Sequence, residues 1–245
     1  MAKIAMMIDT SKCIGCKACQ IACQQWHSKP AEDTSFTGSY QNPEDLSGAS
    51  LNVVKFIEVG NNGDLRWLFF PDRCRQCVDP YCKDACPLGA IKQHRMGFSG
   101  VNEARCDPSK CQMECQTACP FKTGSPTPMG IPRVGYMKDG ELQDTKAQKC
   151  DFCYDRIFNP TLRGADDSAG IPNFDGEFVN SRRPACELSC PTGAIRAGYA
   201  EQIISWAKAR IRYLKNNGYP NATGYPGLYT HVVWVLTEDR SVYGL

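Results

Sequence analysis

The chain has 245 residues, enough for one or two domains, and the 42% that are hydrophobic suffice for a core. Its 21 glycines and 16 prolines mark a loop-rich protein, and no apolar run approaches the roughly 20 residues that a membrane-spanning helix needs. A formal net charge of +2 lacks the basic surplus that draws a protein to nucleic acid, and three histidines against sixteen cysteines make sulfur the dominant chemistry.

The chain opens on an apolar stretch, Ile4 to Ile8, too short for a signal-peptide core and followed by no small-residue cleavage site before Cys13. Next comes Cys13-x2-Cys16-x2-Cys19-x3-Cys23, with Trp26 close behind, where it could sit between metal groups or simply fill space. Leu51 to Val59 alternates as a strand does, Asn61-Asn62-Gly63-Asp64 supplies a turn, and Leu65 to Phe70 returns. This hairpin leads straight into the second group, Cys74-x2-Cys77-x4-Cys82-x3-Cys86, and the third, Cys106-x4-Cys111-x3-Cys115-x3-Cys119, follows. Residues 122–132, dense in Gly, Pro, Ser and Thr, predict no regular structure. Cys150-x2-Cys153 and Cys186-x3-Cys190 form the fourth group, divided by a Gly-, Pro-, Asn- and Asp-rich segment over 159–184. Glu201 to Asn217 reads as a helix with Ile203, Ile204, Ala207, Ile211 and Leu214 on one face, Lys215 near its end and Gly218 as its stop. That stripe reads as core packing, and Val232 to Leu236 closes the chain as a strand.

The spacing of the first group is the run that wraps cubane iron–sulfur clusters in bacterial ferredoxins, where three thiolates hold one cluster and the fourth reaches its neighbour. Three groups end in Cys-Pro: Cys86-Pro87, Cys119-Pro120 and Cys190-Pro191. Structural zinc is the main alternative, but it joins two Cys-x2-Cys pairs across a longer loop and often recruits histidine. A disulfide framework belongs to short secreted chains, and a thioredoxin-type exchange needs only one dithiol. Sixteen thiolates at four per cluster make four 4Fe-4S clusters with none left over. Loaded in this way the protein carries a net charge of roughly −6, a poor match for any polyanion.

An internal repeat sets the architecture. Cys86-Pro-Leu-Gly-Ala-Ile-Lys92 and Cys190-Pro-Thr-Gly-Ala-Ile-Arg196 agree at five of seven positions, which implies two ferredoxin-like units, each with a short strand after its last Cys-Pro. Cys23 needs partners under the crossed-ligand rule, and Cys150, Cys153 and Cys186 are free to supply them. The expected fold is therefore α+β with two nested modules. Residues 1–35 with 145–200 form the first, 36–70 a linker and β-hairpin insertion, 71–135 the inserted second module, and 200–245 a C-terminal helix and strand. Lys12, Lys17, Arg73, Arg75, Lys110, Lys149 and Arg156 lie close in sequence to ligands, where positive charge favours a reduced cluster. Each taken singly reads as an ordinary solvated charge. His27, His94 and His231 are scattered and read as surface or internally satisfied residues. No phosphate-binding loop, dinucleotide fingerprint or catalytic constellation appears, so the chain moves electrons to or from a catalytic site elsewhere.

Several stretches carry a resemblance: Cys-Ile-Gly-Cys-Lys-Ala-Cys-Gln-Ile-Ala-Cys-Gln-Gln-Trp (13–26), Gly-Ser-Tyr-Gln-Asn-Pro-Glu-Asp-Leu-Ser (38–47), Trp-Leu-Phe-Phe-Pro (67–71) and Lys-Cys-Asp-Phe-Cys-Tyr-Asp-Arg (149–156). With the order of the four groups, they make the chain similar to the iron–sulfur (beta) subunit of formate dehydrogenases, within the dimethyl sulfoxide reductase superfamily of molybdopterin oxidoreductases. The cysteine groups are common to that wide family. The cysteine-free 38–47 segment and the hairpin after it point to formate rather than to a sulfur compound, nitrate or arsenate.

The resemblance implies an electron-transfer subunit with no catalytic residue of its own, inactive on formate alone. It implies that Cys13, Cys16, Cys19 and Cys190 hold the cluster nearest the catalytic subunit, and Cys23, Cys150, Cys153 and Cys186 the next. Cys74, Cys77, Cys82 and Cys119 would hold the third, and Cys86, Cys106, Cys111 and Cys115 the most distal. The implied partner is a large subunit bearing a molybdenum or tungsten bis-pyranopterin and a 4Fe-4S cluster of its own. At the far end the resemblance implies a cytochrome c, a ferredoxin-like carrier or a further subunit. The third group departs from the common pattern, with x4 and x3 where x2 is usual. Membrane-bound members add a C-terminal transmembrane helix, which this sequence does not show, so the soluble kind is expected. In exported members the large subunit supplies the twin-arginine signal and the beta subunit travels with it, which implies the periplasm, with the cytoplasm as the alternative.

Overall fold

The computed structural model describes residues 3–60, 63, 65–124, 128–143, 145–158, 183–227 and 229–245. Three residues of the hairpin turn, Asn61, Asn62 and Asp64, and nearly all of the 159–184 segment lie outside the described residues. In chain order, β1 (Ile4–Asp9) leads to α1 (Ala18–Trp26) and then to the hairpin of β2 (Asn52–Val59) and β3 (Arg66–Arg73). The one-turn helix α2 (Tyr81–Asp84), the ladder of β4 (Ile91–Gln93) with β5 (Ser99–Val101), and a second one-turn helix α3 (Glu114–Thr117) follow. After them come β6 (Lys122–Thr123) with β7 (Met129–Gly130), β8 (Tyr136–Lys138) with β9 (Glu141–Gln143), and the short helices α4 (Tyr154–Phe158) and α5 (Ala185–Leu188). β10 (Ile195–Tyr199), the long α6 (Ala200–Asn216), β11 (Thr223–Tyr225) and β12 (Val232–Leu236) complete an α+β fold.

The apolar opening run is a central strand. β1 lies between β10, to which it is antiparallel with Ile4 opposite Tyr199, and β12, to which it is parallel with Met6 opposite Val232; β11 closes the sheet on the far side of β12. Side chains of a strand point alternately to the two faces of its sheet, and here both faces are covered. Ile4, Met6 and Ile8 join Val232, Trp234 and Leu236 in the main core with Phe70, Phe98 and Phe152. Ala5 and Met7 turn the other way, with Val233 and Val235, against Ile203, Ala207 and Leu214 of α6. The continuous run of buried residues in β1 and β12 follows from that sandwiching. Each large aliphatic side chain so buried contributes on the order of 1.5–3 kcal/mol. The predicted helix and its apolar face are as expected, with Ile204 half-buried at the rim.

β2 and β3 pair over their full length, from Asn52 opposite Arg73 to Val59 opposite Arg66. One face of this hairpin is aromatic: Phe56 meets Phe69 edge-on at 5.1 Å and Trp67 at 5.8 Å, and Tyr40 joins them. Phe69 also packs on the first cysteine loop, where Gly15 has φ +67° and a Cβ would stand 2.7 Å from the ring. Only glycine meets both demands. On the other side Trp234 stacks on Phe70 at 5.2 Å and donates to the Pro71 carbonyl at 3.1 Å, tying the hairpin to the sheet.

One expectation fails in the 122–132 segment, which is not wholly irregular. β6 and β7 pair Lys122 with Gly130 and Thr123 with Met129. The reason is a distant anchor: buried Arg133 donates to Thr123 Oγ1 at 2.7 Å, to Asp45 at 2.6 Å and to the Leu46 carbonyl at 3.1 Å. Gly130 must lack a side chain there, since a Cβ would run into the Gln116 carbonyl.

Candidate metal centres

The cysteines are delivered by short helices that each serve two places. Cys19 and Cys23 lie on the same side of α1, one turn apart, so a single helix presents sulfur at two successive levels. α5 carries Cys186, with Cys190 one turn beyond, and packs against α1. α2 and α3 repeat the device, with Cys82 followed by Cys86 and Cys115 followed by Cys119, and they too pack together.

Three recesses result, of nearly equal volume and each lined by four cysteines. Cys13, Cys16, Cys19 and Cys190 line one of about 20 Å³. Cys74, Cys77, Cys82 and Cys119 line a second of about 20 Å³, and Cys86, Cys106, Cys111 and Cys115 a third of the same volume. The remaining four, Cys23, Cys150, Cys153 and Cys186, are all buried, and Cys186, Cys23 and Cys150 are the sulfurs that act electrostatically on Cys153. No disulfide joins any of the sixteen cysteines.

The donor sets suit a sulfur-ligated cluster. Burial, followed by repulsion from neighbouring sulfurs, pushes the thiols up, Cys77 and Cys115 to about 12. Cys19 reaches about 12 through burial, with Arg73 opposing it. A multivalent cation is what replaces protons in such a site, since a coordinating thiol is deprotonated outright. The loops between ligands also turn through left-handed backbone, at Gly15 (φ 67°), Lys17 (φ 59°), Gln76 (φ 52°), Met113 (φ 58°), Phe152 (φ 68°) and Cys153 (φ 52°). Successive N–H groups in such turns form concavities that accept anionic centres, iron–sulfur clusters among them. Backbone groups already point at sulfur, among them Ala90 N–H at Cys86 and Ala147 N–H at Cys106, both at 3.3 Å.

The seven basic residues near ligands divide sharply. Lys12 and Lys110 are exposed, as expected of solvated charge, and Lys110 pairs with Asp107 at 2.8 Å. Lys17 is half-buried, donating to the Tyr40 carbonyl beside the Phe56 ring. Arg156 lies over the Trp26 ring at 4.5 Å. Arg73, Arg75 and Lys149 are buried at 1, 1 and 5% exposure, which overturns the solvated reading for these three. Arg73 Nη1 donates to Cys186 Sγ at 2.9 Å, and Lys149 Nζ stands 3.7 Å from Cys74 Sγ.

His27 is satisfied, as expected, with Nε2 on Asp151 at 3.0 Å and Nδ1 on the Cys23 carbonyl at 2.9 Å. That places it, with Asp151, beside Cys153, a neighbourhood nothing in its spacing announced. His94 stacks on Phe98 at 4.7 Å, and His231 is buried against β1. Trp26 lines an open recess with Arg156 and Leu188 and donates to Asp155 at 3.1 Å, so it does not stand between cysteine sets. Gln76 and Ser99 were not foreseen: both are buried, and Gln76 accepts from the Ser99 N–H at 2.7 Å while donating to the Cys150 carbonyl. Neither residue type carries a signal in isolation.

Comparison with known proteins agrees with this geometry. Residues 12–91 and 65–164 each match a 4Fe-4S dicluster domain. The chain is 36% identical to two iron–sulfur subunits of Escherichia coli, those of the nitrate-inducible formate dehydrogenase and of formate dehydrogenase-O, over 96% of its own length and 68% and 67% of theirs. To the formate dehydrogenase 2 subunit beta (cytochrome c-553) of Nitratidesulfovibrio vulgaris it is 32% identical, over 98% of its own length and 95% of the relative's.

Proposed function

Since this chain belongs to the family of formate dehydrogenase iron–sulfur subunits, we propose that it carries four 4Fe-4S clusters in series between a formate-oxidising catalytic subunit and an external electron carrier. One observation carries the count: sixteen cysteines sort into fours, and three of the fours line recesses of matching size, although one of them joins Cys13, Cys16 and Cys19 to the distant Cys190. Each cluster, when bound, takes up and gives back one electron.

The ligand sets are Cys13, Cys16, Cys19 and Cys190; Cys23, Cys150, Cys153 and Cys186; Cys74, Cys77, Cys82 and Cys119; and Cys86, Cys106, Cys111 and Cys115. In support of this crossing, α1 and α5 each offer one cysteine to the first set and one to the second, and α2 and α3 do the same for the third and fourth. The nesting of residues 71–135 between 1–35 and 145–200 rests on the same exchange, together with the pairing of β1 with β10. The protein's own part is to hold the sulfurs, to aim N–H groups at them, and to exclude water from the middle of the row.

The catalytic partner is a large subunit with a molybdenum or tungsten bis-pyranopterin, docked around the first set. Cys16 is exposed there, flanked by Ile14 at 58% and Ile21 at 48% exposure, apolar surface suited to a subunit boundary. The fourth set faces the carrier. A cytochrome c suits that role, since the Nitratidesulfovibrio vulgaris relative carries cytochrome c-553 in its name. Among the described residues no helix is long and apolar enough to cross a membrane. We infer a periplasmic location reached by co-export with the catalytic subunit, to be checked by cell fractionation.

The deciding experiment is iron analysis with formate-dependent reduction. About sixteen irons per chain are expected, with formate bleaching the clusters only when the large subunit is present. Stoichiometric zinc with little iron, or formate oxidation by the isolated chain, would overturn the reading. A co-purifying large subunit that ignores formate and reduces a sulfur compound or nitrate would move the substrate. For the crossing, Cys190→Ala should abolish the cluster of Cys13, Cys16 and Cys19; loss confined to that of Cys150 and Cys153 would refute it.

A further inference from the structure

Three cations are buried among the cysteine sets, and they differ in what balances them. Arg75 has a carboxylate: its guanidinium pairs with Asp72, which Lys55 also holds at 2.8 Å, and the Trp234 ring lies 5.1 Å away. Among the described residues Arg73 and Lys149 have none, and the buried ion pairs engage Lys55, Arg75, Arg133 and Arg210 instead. Among those residues Arg73 reaches Cys186 Sγ at 2.9 Å, Met6 Sδ at 3.4 Å and the Asn52 amide oxygen at 2.8 Å. Lys149 Nζ has the Ser99 carbonyl at 2.6 Å, the Ser99 hydroxyl at 3.0 Å and the Cys150 carbonyl at 3.2 Å, with Cys74 Sγ at 3.7 Å. Carbonyls and hydroxyls solvate a cation but do not neutralise it, and a buried charge without a counter-charge is among the costliest features a fold can hold.

The compensating charge has to come from sulfur, and each cation faces two sets. Arg73 donates to Cys186 Sγ of the second set and touches Met6, which packs in one core with Cys19 of the first, so the guanidinium lies between the second set and the first. Lys149 lines the recess of the third set beside Cys74 Sγ and donates to the carbonyl of Cys150 in the second, while the nearby Asp151 is engaged by His27. The ammonium thus stands between the third set and the second. The fourth set has no equivalent: its recess is lined by Pro87, Leu88, Met113, Glu114 and other residues without a cation, and Lys110 and Lys146 beside it are exposed.

We propose that Arg73 and Lys149 are counter-charges shared between neighbouring clusters, Arg73 by the first and second and Lys149 by the second and third, and that they hold those clusters' reduction potentials up. This rests on the four-cluster ligand assignment. An added electron is added negative charge, so a fixed cation at short range in a dry interior favours the reduced cluster. The second cluster feels both cations and the fourth feels neither.

The test is potentiometric titration, followed by electron paramagnetic resonance, of the purified iron-loaded complex carrying Lys149→Met or Arg73→Met. With iron at the parental level, each variant should lower two midpoints by roughly tenfold in the one-electron reduction equilibrium, about 59 mV. One midpoint should move in both variants and one in neither. Lys149→Arg and Arg73→Lys should titrate as the parent. A neutral variant that fails to load iron while its charge-keeping counterpart loads and titrates normally also supports the counter-charge. Full loading with unmoved potentials, a uniform shift of all four, or failure of both members of a pair overturns it. Too little iron in the unaltered protein would strike the ligand assignment instead, a failure distinct from these.

Discussion

The four cysteines of the second set, Cys23, Cys150, Cys153 and Cys186, are between 4 and 7% exposed, whereas in the fourth set Cys86 and Cys111 are half-buried beside Cys106 and Cys115. Behind the second set stand the four-stranded sheet, Phe152 and the two buried cations Arg73 and Lys149; behind the fourth stand a three-residue ladder, β4 with β5, and two one-turn helices. The same ligand chemistry is therefore embedded in a core at one place and in a thin shell at the other. In the proposed relay the second set would be a dry middle, where an electron in transit meets little but protein, and the fourth an end thin enough for a carrier to approach.

The largest effect should come from breaking one ligand in each region. Cys186→Ala is expected to cost more than one cluster and most of the accumulated protein, because metal binding and folding are coupled at that buried hub. Cys111→Ala should lose about four irons and leave the rest in place. Iron per chain and soluble yield measure both, and equal losses would erase the distinction.

Removing the metal sharpens the contrast. After chelation under oxidising conditions, amide exchange should become fast across residues 86–119, where the hydrogen bonds sit in tight turns and a three-residue ladder, while β1, β10 and β12 stay protected by their apolar sandwich. Uniform loss of protection would mean that the sheet has no stability of its own.

A smaller effect is expected from packing alone. Trp234→Ala, at a side chain with no exposure that stacks on Phe70, should destabilise the loaded protein by about 3–5 kcal/mol in denaturant titration. Leu142→Ala, at 64% exposure in β9, should leave the midpoint where it was. Least of all, Lys110→Ala near the fourth set should change neither iron content nor melting temperature, since its pair with Asp107 is exposed.

The cysteine spacing made the metal chemistry legible, because ligand separation along a chain is a local quantity. The hairpin, the helix at α6 and the strand at β12 were legible for the same reason, each having a periodicity complete within its own segment. β1 was not: Ile4 to Ile8 read only as a failed signal sequence, since its partners Ile195 to Tyr199 and Val232 to Val235 lie at the other end of the chain. Nor could Arg73 and Lys149 be told from Lys12 and Lys110. Seven basic residues beside cysteines look alike until burial separates them. The short ladder of β6 and β7 escaped because Arg133, not local propensity, holds it together.

The central place of β1 has a consequence for the order in which the protein is made. β1 needs both β10 and β12, so once it has left the ribosome it must wait while the residues up to Leu236 emerge. At ~5–20 residues per second that wait is on the order of 10–40 s. During it the apolar segment Ile4 to Ile8 is exposed and unpaired, a natural client for a chaperone. The segment from Cys74 to Cys119 meanwhile has its whole length available, so the middle of this polypeptide is ready to mature before its beginning.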